Sequence, residues 1–266
     1  MKLAALIAQT ELRLRAARLH YGHGTDNPRD EAAYLVLRGL GLPFDAPLDQ
    51  DVDGEKIENL VAQRIEKRIP VAYLLQEAWL DGLAFYVDRR VIVPRSHIAG
   101  MLKELRRPVR RALDLCTGSG CLAVLAARAF PRARIDASDI SAAALAVARV
   151  NQRRHRLEKR LRLVRSDLFA KLRGARYDLI VSNPPYVSAA AMRRLPAEYR
   201  YEPGIALAAG KDGLDVVGRI IAEAPAHLER GGLLVCEVGD RKAAVQRRFP
   251  RAPLVWPQEE VFLLHR

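Results

Sequence analysis

Apolar residues recur at helical spacing over the first quarter of the chain, and further on they gather into short runs separated by helical stretches. Leu3, Leu6, Ile7, Leu12, Leu14 and Leu19 form a first stripe, closed by Gly22 and Gly24. A second helix begins at Asn27, an N-cap whose side-chain oxygen can accept from the first turn. Pro28 follows at the first helical position, Asp30 and Glu31 lie in the first turn, and Gly41 stops the run. Ile57, Leu60, Val61 and Ile65 give a third helix that ends before Pro70. Residues 72–93 alternate and are rich in β-branched types, which predicts a hairpin turning at Asp88-Arg89-Arg90 and a strand over 91–93 halted by Pro94. A helix over 98–106 leads onward.

Beyond Arg110 strands and helices alternate, which argues for a parallel α/β sheet. Strands are expected at 112–116, 134–138, 161–164, 177–182 and 233–238, with 254–256 and 261–264 closing the sheet as an antiparallel pair. Helices fill 121–130, the stretch from the Ser141 cap to 153, 212–228 and 241–249. The fold expected is a Rossmann-like, seven-stranded, mostly parallel sheet with a small N-terminal helical domain. Its parts divide as 1–75 helical, 76–96 a β-hairpin linker, and 97–266 the α/β domain. Residues 183–211 are too long for a plain connection and point to function.

Composition narrows the classes. Half the residues are hydrophobic, and no apolar run of about eighteen residues exists to span a membrane. The apolar N-terminal segment is too short for a convincing secretory signal. Three cysteines, an odd number without ligand spacing, suit a reducing, cytoplasmic setting and no metal site. The net charge of +13 comes mostly from arginine spread along the chain, with clusters at Arg106-Arg107, Arg153-Arg154-His155-Arg156 and Arg247-Arg248. It permits weak, nonspecific contact with RNA.

Two stretches carry chemistry. Asp114-Leu115-Cys116-Thr117-Gly118-Ser119-Gly120-Cys121 is a strand, a glycine turn and a helix start, where backbone N–H groups are free to meet a ligand. Asp139-Ile140 ends the next strand, and the Asp139 carboxylate can accept from ribose hydroxyls. Gly118-x-Gly120-x-x-Ala123 fits a dinucleotide site too, but Asp114 suits an ammonium or sulfonium better than a pyrophosphate. Asp167 and Leu168 follow the third strand, placed to accept from an adenine amine and to cover its ring. The second stretch, Asn183-Pro184-Pro185-Tyr186, stands at the end of an apolar strand. Two prolines hold it extended. The Asn183 oxygen and the Pro184 carbonyl can then accept both hydrogens of a planar NH₂ group, while the Tyr186 ring stacks on it. Neither device serves hydride transfer. Asn-Pro-Pro-Tyr after a strand resembles the signature of amino-group methyltransferases that use S-adenosylmethionine, with Asn183, Pro184 and Tyr186 catalytic and Asn183 also touching the cofactor.

Over nearly its whole length the chain resembles the protein N5-glutamine methyltransferases. The resemblance runs through 70–73, Phe85-Tyr86-Val87, Val93-Pro94-Arg95, the glycine turn, 183–186, Glu202-Pro203 and Asp212-Gly213-Leu214. It implies the class I S-adenosylmethionine-dependent methyltransferase fold and a protein substrate held by Asn183, Pro184, Pro185, Tyr186 and Arg95. The family has one branch acting on the third protein of the large ribosomal subunit and one acting on peptide-chain release factors. Ala78-Trp79, Pro94-Arg95-Ser96-His97-Ile98-Ala99 and 198–203 look like the ribosomal branch. His97 stands where that branch often has proline, Gly100 where it has glutamate, and the turn at 257–262 is shorter. A release-factor substrate is the first alternative. An adenine amino-methyltransferase acting on nucleic acid is the second, although its target region should be rich in aromatics and the N-terminal unit offers chiefly Tyr21, Tyr34 and Phe44. A methyltransferase-like fold that only binds RNA is at odds with the intact set of polar residues. No His, Lys or Cys adjoins Asn183 in sequence to act as a base, so orientation and hydrogen bonding must carry the reaction.

Overall fold

The structure, a computed structural model, describes residues 1–266. Helices α1 (Leu3–Ala16), α2 (Pro28–Gly39) and α3 (Glu55–Lys67) form the N-terminal unit, with a short α4 (Val71–Leu75) after them. The α2 cap is built as its sequence predicts, the Asn27 side chain accepting from Asp30 N at 2.9 Å, a contact worth about 1 kcal/mol. Leu3, Leu35, Ile57 and Val61 are fully or almost fully buried between these helices.

The hairpin corrects the sequence reading. Strands β1 (Glu77–Leu80) and β2 (Leu83–Tyr86) turn at Asp81-Gly82, both with positive φ (53° and 75°). Such a two-residue turn matches the strand twist and favours an Asp-Gly pair. Asp88-Arg89-Arg90 is only a bend further on, tied by Asp88 to Arg90. Residues 91–93 form no strand, because side chains take their backbone bonds. The Val91 carbonyl accepts from Tyr73 Oη and Val93 N donates to Glu202.

Helix α5 (Ile98–Glu104) leads into a seven-stranded sheet. Its strands are β3 (Arg111–Leu115), β4 (Arg134–Asp139), β5 (Leu161–Arg165), β6 (Tyr177–Ser182), β7 (Leu228–Glu237), β8 (Leu254–Val255) and β9 (Val261–His265). They lie in the order β5-β4-β3-β6-β7-β9-β8, parallel through β7, with β9 antiparallel to β7 and to β8. Helices α6 (Cys121–Ala129), α7 (Ala142–Arg154), α8 (Ala189–Met192), α9 (Asp215–His227) and α10 (Lys242–Arg248) complete the chain. Alternation along β6 sends Leu179 and Val181 to the core under α5 and α6, and Ile180 to the core under α9. No helix is long and apolar enough to cross a membrane. Chain order reverses between β3 and β6, and a crevice opens beyond the carboxyl ends of the strands at such a reversal. The Ser182 hydroxyl locks the pair there, donating to Leu115 O at 2.7 Å.

Candidate active site

The floor of the crevice is the turn after β3. Cys116, Gly118 and Gly120 have φ of 62°, 53° and 81°, so the chain rises steeply and then starts α6. A Cβ on Gly120 would lie 3.2 Å from the Ala148 Cβ on α7, and the left-handed backbone favours glycine independently. Beneath the turn Asp114 is buried, its Oδ2 accepting from Thr117 Oγ1 and Ala123 N. Its Oδ1 has no partner. Burial pushes this carboxyl up to about 7. Asn151 holds the turn from the other side, donating to Ser119 O at 2.8 Å.

A cavity of about 280 Å³ opens above. Of the residues picked from the sequence, Cys116, Gly118, Asp139, Ile140, Asp167, Leu168, Asn183 and Pro185 line it. Asp114, Thr117, Ser119, Gly120 and Cys121 do not, lying below or behind. Asp139 accepts from Gly118 N at 2.9 Å and Ser141 N at 2.8 Å. Each carboxylate oxygen thus keeps one lone-pair direction free. Its burial raises the pKa, against the pull of those N–H groups. Leu168 stands at φ 43°, a strained value for a branched side chain. It is buried against the wall, whereas Asp167 is half-exposed and pairs with Arg219 at 2.9 Å.

A smaller cavity of about 170 Å³ adjoins it, lined by Arg95, Asn183, Pro184, Tyr186 and Tyr199. Asn183, Ile92 and Ala206 line both cavities. Neither the Asn183 amide nor the Pro184 carbonyl has a hydrogen-bond partner in the protein. Beyond them the loop is fixed by Val187 N donating to Leu207 O (2.8 Å) and Ala209 N to Val187 O (3.0 Å). The Tyr186 ring rests on Gly239, where a Cβ would come within 2.7 Å of Cε2. Desolvation holds the Tyr186 phenol protonated, pushed up to about 12.

Arg95 is not free. It donates to both oxygens of buried Glu202, at 2.5 and 2.6 Å, and lies over the Tyr199 ring. It braces the cavity wall and presents an edge to the cavity. Glu237, at the end of β7, accepts from Ser96 Oγ at 2.5 Å and His97 N at 3.1 Å, and burial raises its pKa. Sequence reasoning missed Ile92 and Gly239 as parts of the site, and it held Tyr199 and Glu202 only as members of the family stretch 198–203, with no partner for either. A glycine directly after a buried strand was a usable signal for Gly239. Glu202-Pro203 marked the family but gave no sign of what Glu202 binds, since its partners lie 107 residues or more away.

Residues 98–197 match the family described as Methyltransferase small domain. Over 94% of its length the chain is 51% identical to the ribosomal protein uL3 glutamine methyltransferase of Bordetella pertussis and covers 89% of that protein. The enzyme of the same name from Burkholderia pseudomallei is 46% identical over 98% of this chain and 93% of its own. A methyltransferase structure from Pyrococcus furiosus shares the fold at TM-score 0.51 and 19% identity, over 70% of this chain and 90% of that one.

Proposed function

The chain belongs to the ribosomal protein uL3 glutamine methyltransferases, and on that premise we propose that it methylates a glutamine side-chain amide of uL3 with S-adenosylmethionine as donor. One observation carries the reading: Asn183 stands in the wall shared by two cavities, its amide and the Pro184 carbonyl both without protein partners. The larger cavity fits the donor, with Asp139 offering open lone pairs to a ribose and Leu168 and Ile140 offering apolar walls to an adenine. When bound there, S-adenosylmethionine supplies an electrophilic sulfonium methyl group.

The residues of the chain do the positioning. Asn183 Oδ1 and Pro184 O accept the two hydrogens of the glutamine NH₂, which loosens its conjugation and turns its lone pair towards the larger cavity. Tyr186 stacks on the amide plane. Its phenol stays protonated, and Cys116 is held as a thiol by burial, so neither competes as a nucleophile. With the donor held by Asp139, Ile140 and Leu168, the amide nitrogen that Asn183 and Pro184 orient would take up the methyl group and shed its proton to water. An oriented hydrogen bond of this kind contributes about 2–4 kcal/mol at the transition state. The helical unit over 1–75 selects the protein carrier.

Incubation with methyl-labelled S-adenosylmethionine and, separately, uL3, a release factor and RNA tests the reading. Label on one glutamine of uL3, located by mass spectrometry, is the expected result. Label in the RNA, or in none of the three, would overturn it. Preference for the release factor would overturn the choice of carrier alone.

A further inference from the structure

An open groove of about 810 Å³ lies at the other end of the sheet, against the amino ends of β3, β4 and β5. Arg111, Arg134, Arg149, Lys159, Arg160 and Arg162 line it, facing only Asp136 and Glu158. Asp136 is already engaged, accepting from Arg162 through two bonds of 2.8 Å and from Tyr177 Oη at 2.7 Å. The Arg160 guanidinium is fixed on the carbonyls of Ala127 and Ala133. That bond set leaves its charge uncompensated. Arg134, Arg149 and Lys159 are exposed and pair with no carboxylate. Six cations thus converge on one concave surface with a net of four positive charges.

We propose that this groove binds the phosphate backbone of RNA without reading its sequence. Five of the six cations are arginines, whose planar forks match phosphate oxygens in pairs. No aromatic residue lines the groove, so bases have nothing to stack on, and the contact is to the backbone. Its three hydrophobic lining residues all belong to strands β4 and β5 and leave no apolar edge for a membrane. The parallel strands run from the groove to the crevice, about 16 Å at about 3.3 Å per residue. A bound RNA therefore leaves Asn183 open to a protein loop. The proposal does not depend on the methylation reading.

The test is a titration of the full-length protein with a fluorescent RNA hairpin over a series of salt concentrations. A variant combining Arg134→Gln, Arg149→Gln and Lys159→Gln should bind at least tenfold more weakly at low salt. The slope of log K against log[salt] should shrink by about 2–3, since each lost phosphate contact removes about 0.7–0.9. Arg230→Gln, Arg247→Gln and Arg251→Gln, combined as a control of equal charge change, should alter the slope far less. Methylation of free protein substrate by the groove variant should stay at the parental rate, which separates this result from the fate of the active-site reading. Equal effects of the two triple variants would overturn the groove as the locus. Tighter binding of a polyglutamate peptide than of the hairpin would assign the groove to an acidic protein instead.

Discussion

At the scale of single residues, the proposed function divides the labour between Asn183 and Asp139. Asn183→Ala should cut turnover by about 30- to 1,000-fold, the rate equivalent of about 2–4 kcal/mol, with donor affinity nearly intact. Asp139→Ala should chiefly weaken donor binding. Calorimetric titration with S-adenosylmethionine checks both, and equal losses of affinity would refute the division. Two other buried groups should pull stability in opposite directions with pH. Burial moves Asp114 from 3.8 to about 7, so the folded chain keeps a proton that the unfolded chain sheds. That contribution is complete below about 3.8 and is lost as pH rises to about 7. Burial moves His23 from 6.5 down to about 4, so its contribution is lost as pH falls from about 6.5 to about 4. Asp114→Asn should make the melting temperature climb more steeply with pH across that range than in the parent, and His23→Phe less steeply. Three parallel curves would contradict the assignment. Asn183 and Asp139 could be picked out in the sequence because each stands at the end of a strand, and Tyr186 because it shares the proline-held loop with Asn183. His23 was not. Nothing in its neighbours shows that Tyr199, 176 positions on, packs tilted at 4.5 Å against a ring whose nitrogens have no hydrogen-bond partner.

At the scale of elements, the sheet was readable almost strand by strand, since buried parallel strands leave short apolar runs between helical patterns. The segment between the helical unit and the sheet was not. Its β-branched run at 91–93 suggested a strand, yet its backbone partners are Tyr73 and Glu202, which only the tertiary fold supplies. The Asp81-Gly82 pair was the better turn signal. Asn151 of α7 ties this segment to the site. Its amide accepts from Tyr86 N at 2.7 Å and donates to the carbonyls of Tyr86 and Ser119 at 2.9 and 2.8 Å. Asn151→Ala should cost about 2–4 kcal/mol, at roughly 1 kcal/mol per bond plus the groups left unpaired. Loosening the glycine turn should also lower donor affinity. Denaturant unfolding and donor titration check the two effects, and an unchanged affinity would detach the hairpin from the cofactor site.

At the scale of the whole molecule, the helical unit and the loop over 183–211 are joined by buried charge. Arg64 donates to Glu31 at 2.7 Å and lies 3.7 Å from Glu198. Glu198 also accepts from His20 N and from Arg68, and Tyr201 donates to Lys67 O. Arg64→Met would leave two carboxylates buried without their shared cation, at a cost of about 3–5 kcal/mol measurable by chemical denaturation. A chain beginning near Ala72 should bind donor yet fail to methylate intact uL3. If it also fails on a short glutamine peptide, the unit is needed to hold the Tyr199 wall. Activity on the peptide alone would make it a recognition module, and full activity on intact uL3 would exclude both roles. None of these pairings was visible in the sequence, where the partners are separated by up to 178 positions.

The wall that Asn183, Ile92 and Ala206 place between the cavities also dictates a kinetic order. Since no side chain there is poised to carry the methyl group, the enzyme cannot discharge one product before meeting the second reactant. Initial rates measured against both reactants should give intersecting reciprocal lines, and parallel lines would betray a methylated enzyme. The same shared residues mean that one molecule joining an adenosyl group to a glutamine amide by a short tether past Asn183 should hold both chambers at once. The second half would then bind at an effective concentration in the millimolar range, a gain that neither fragment achieves alone.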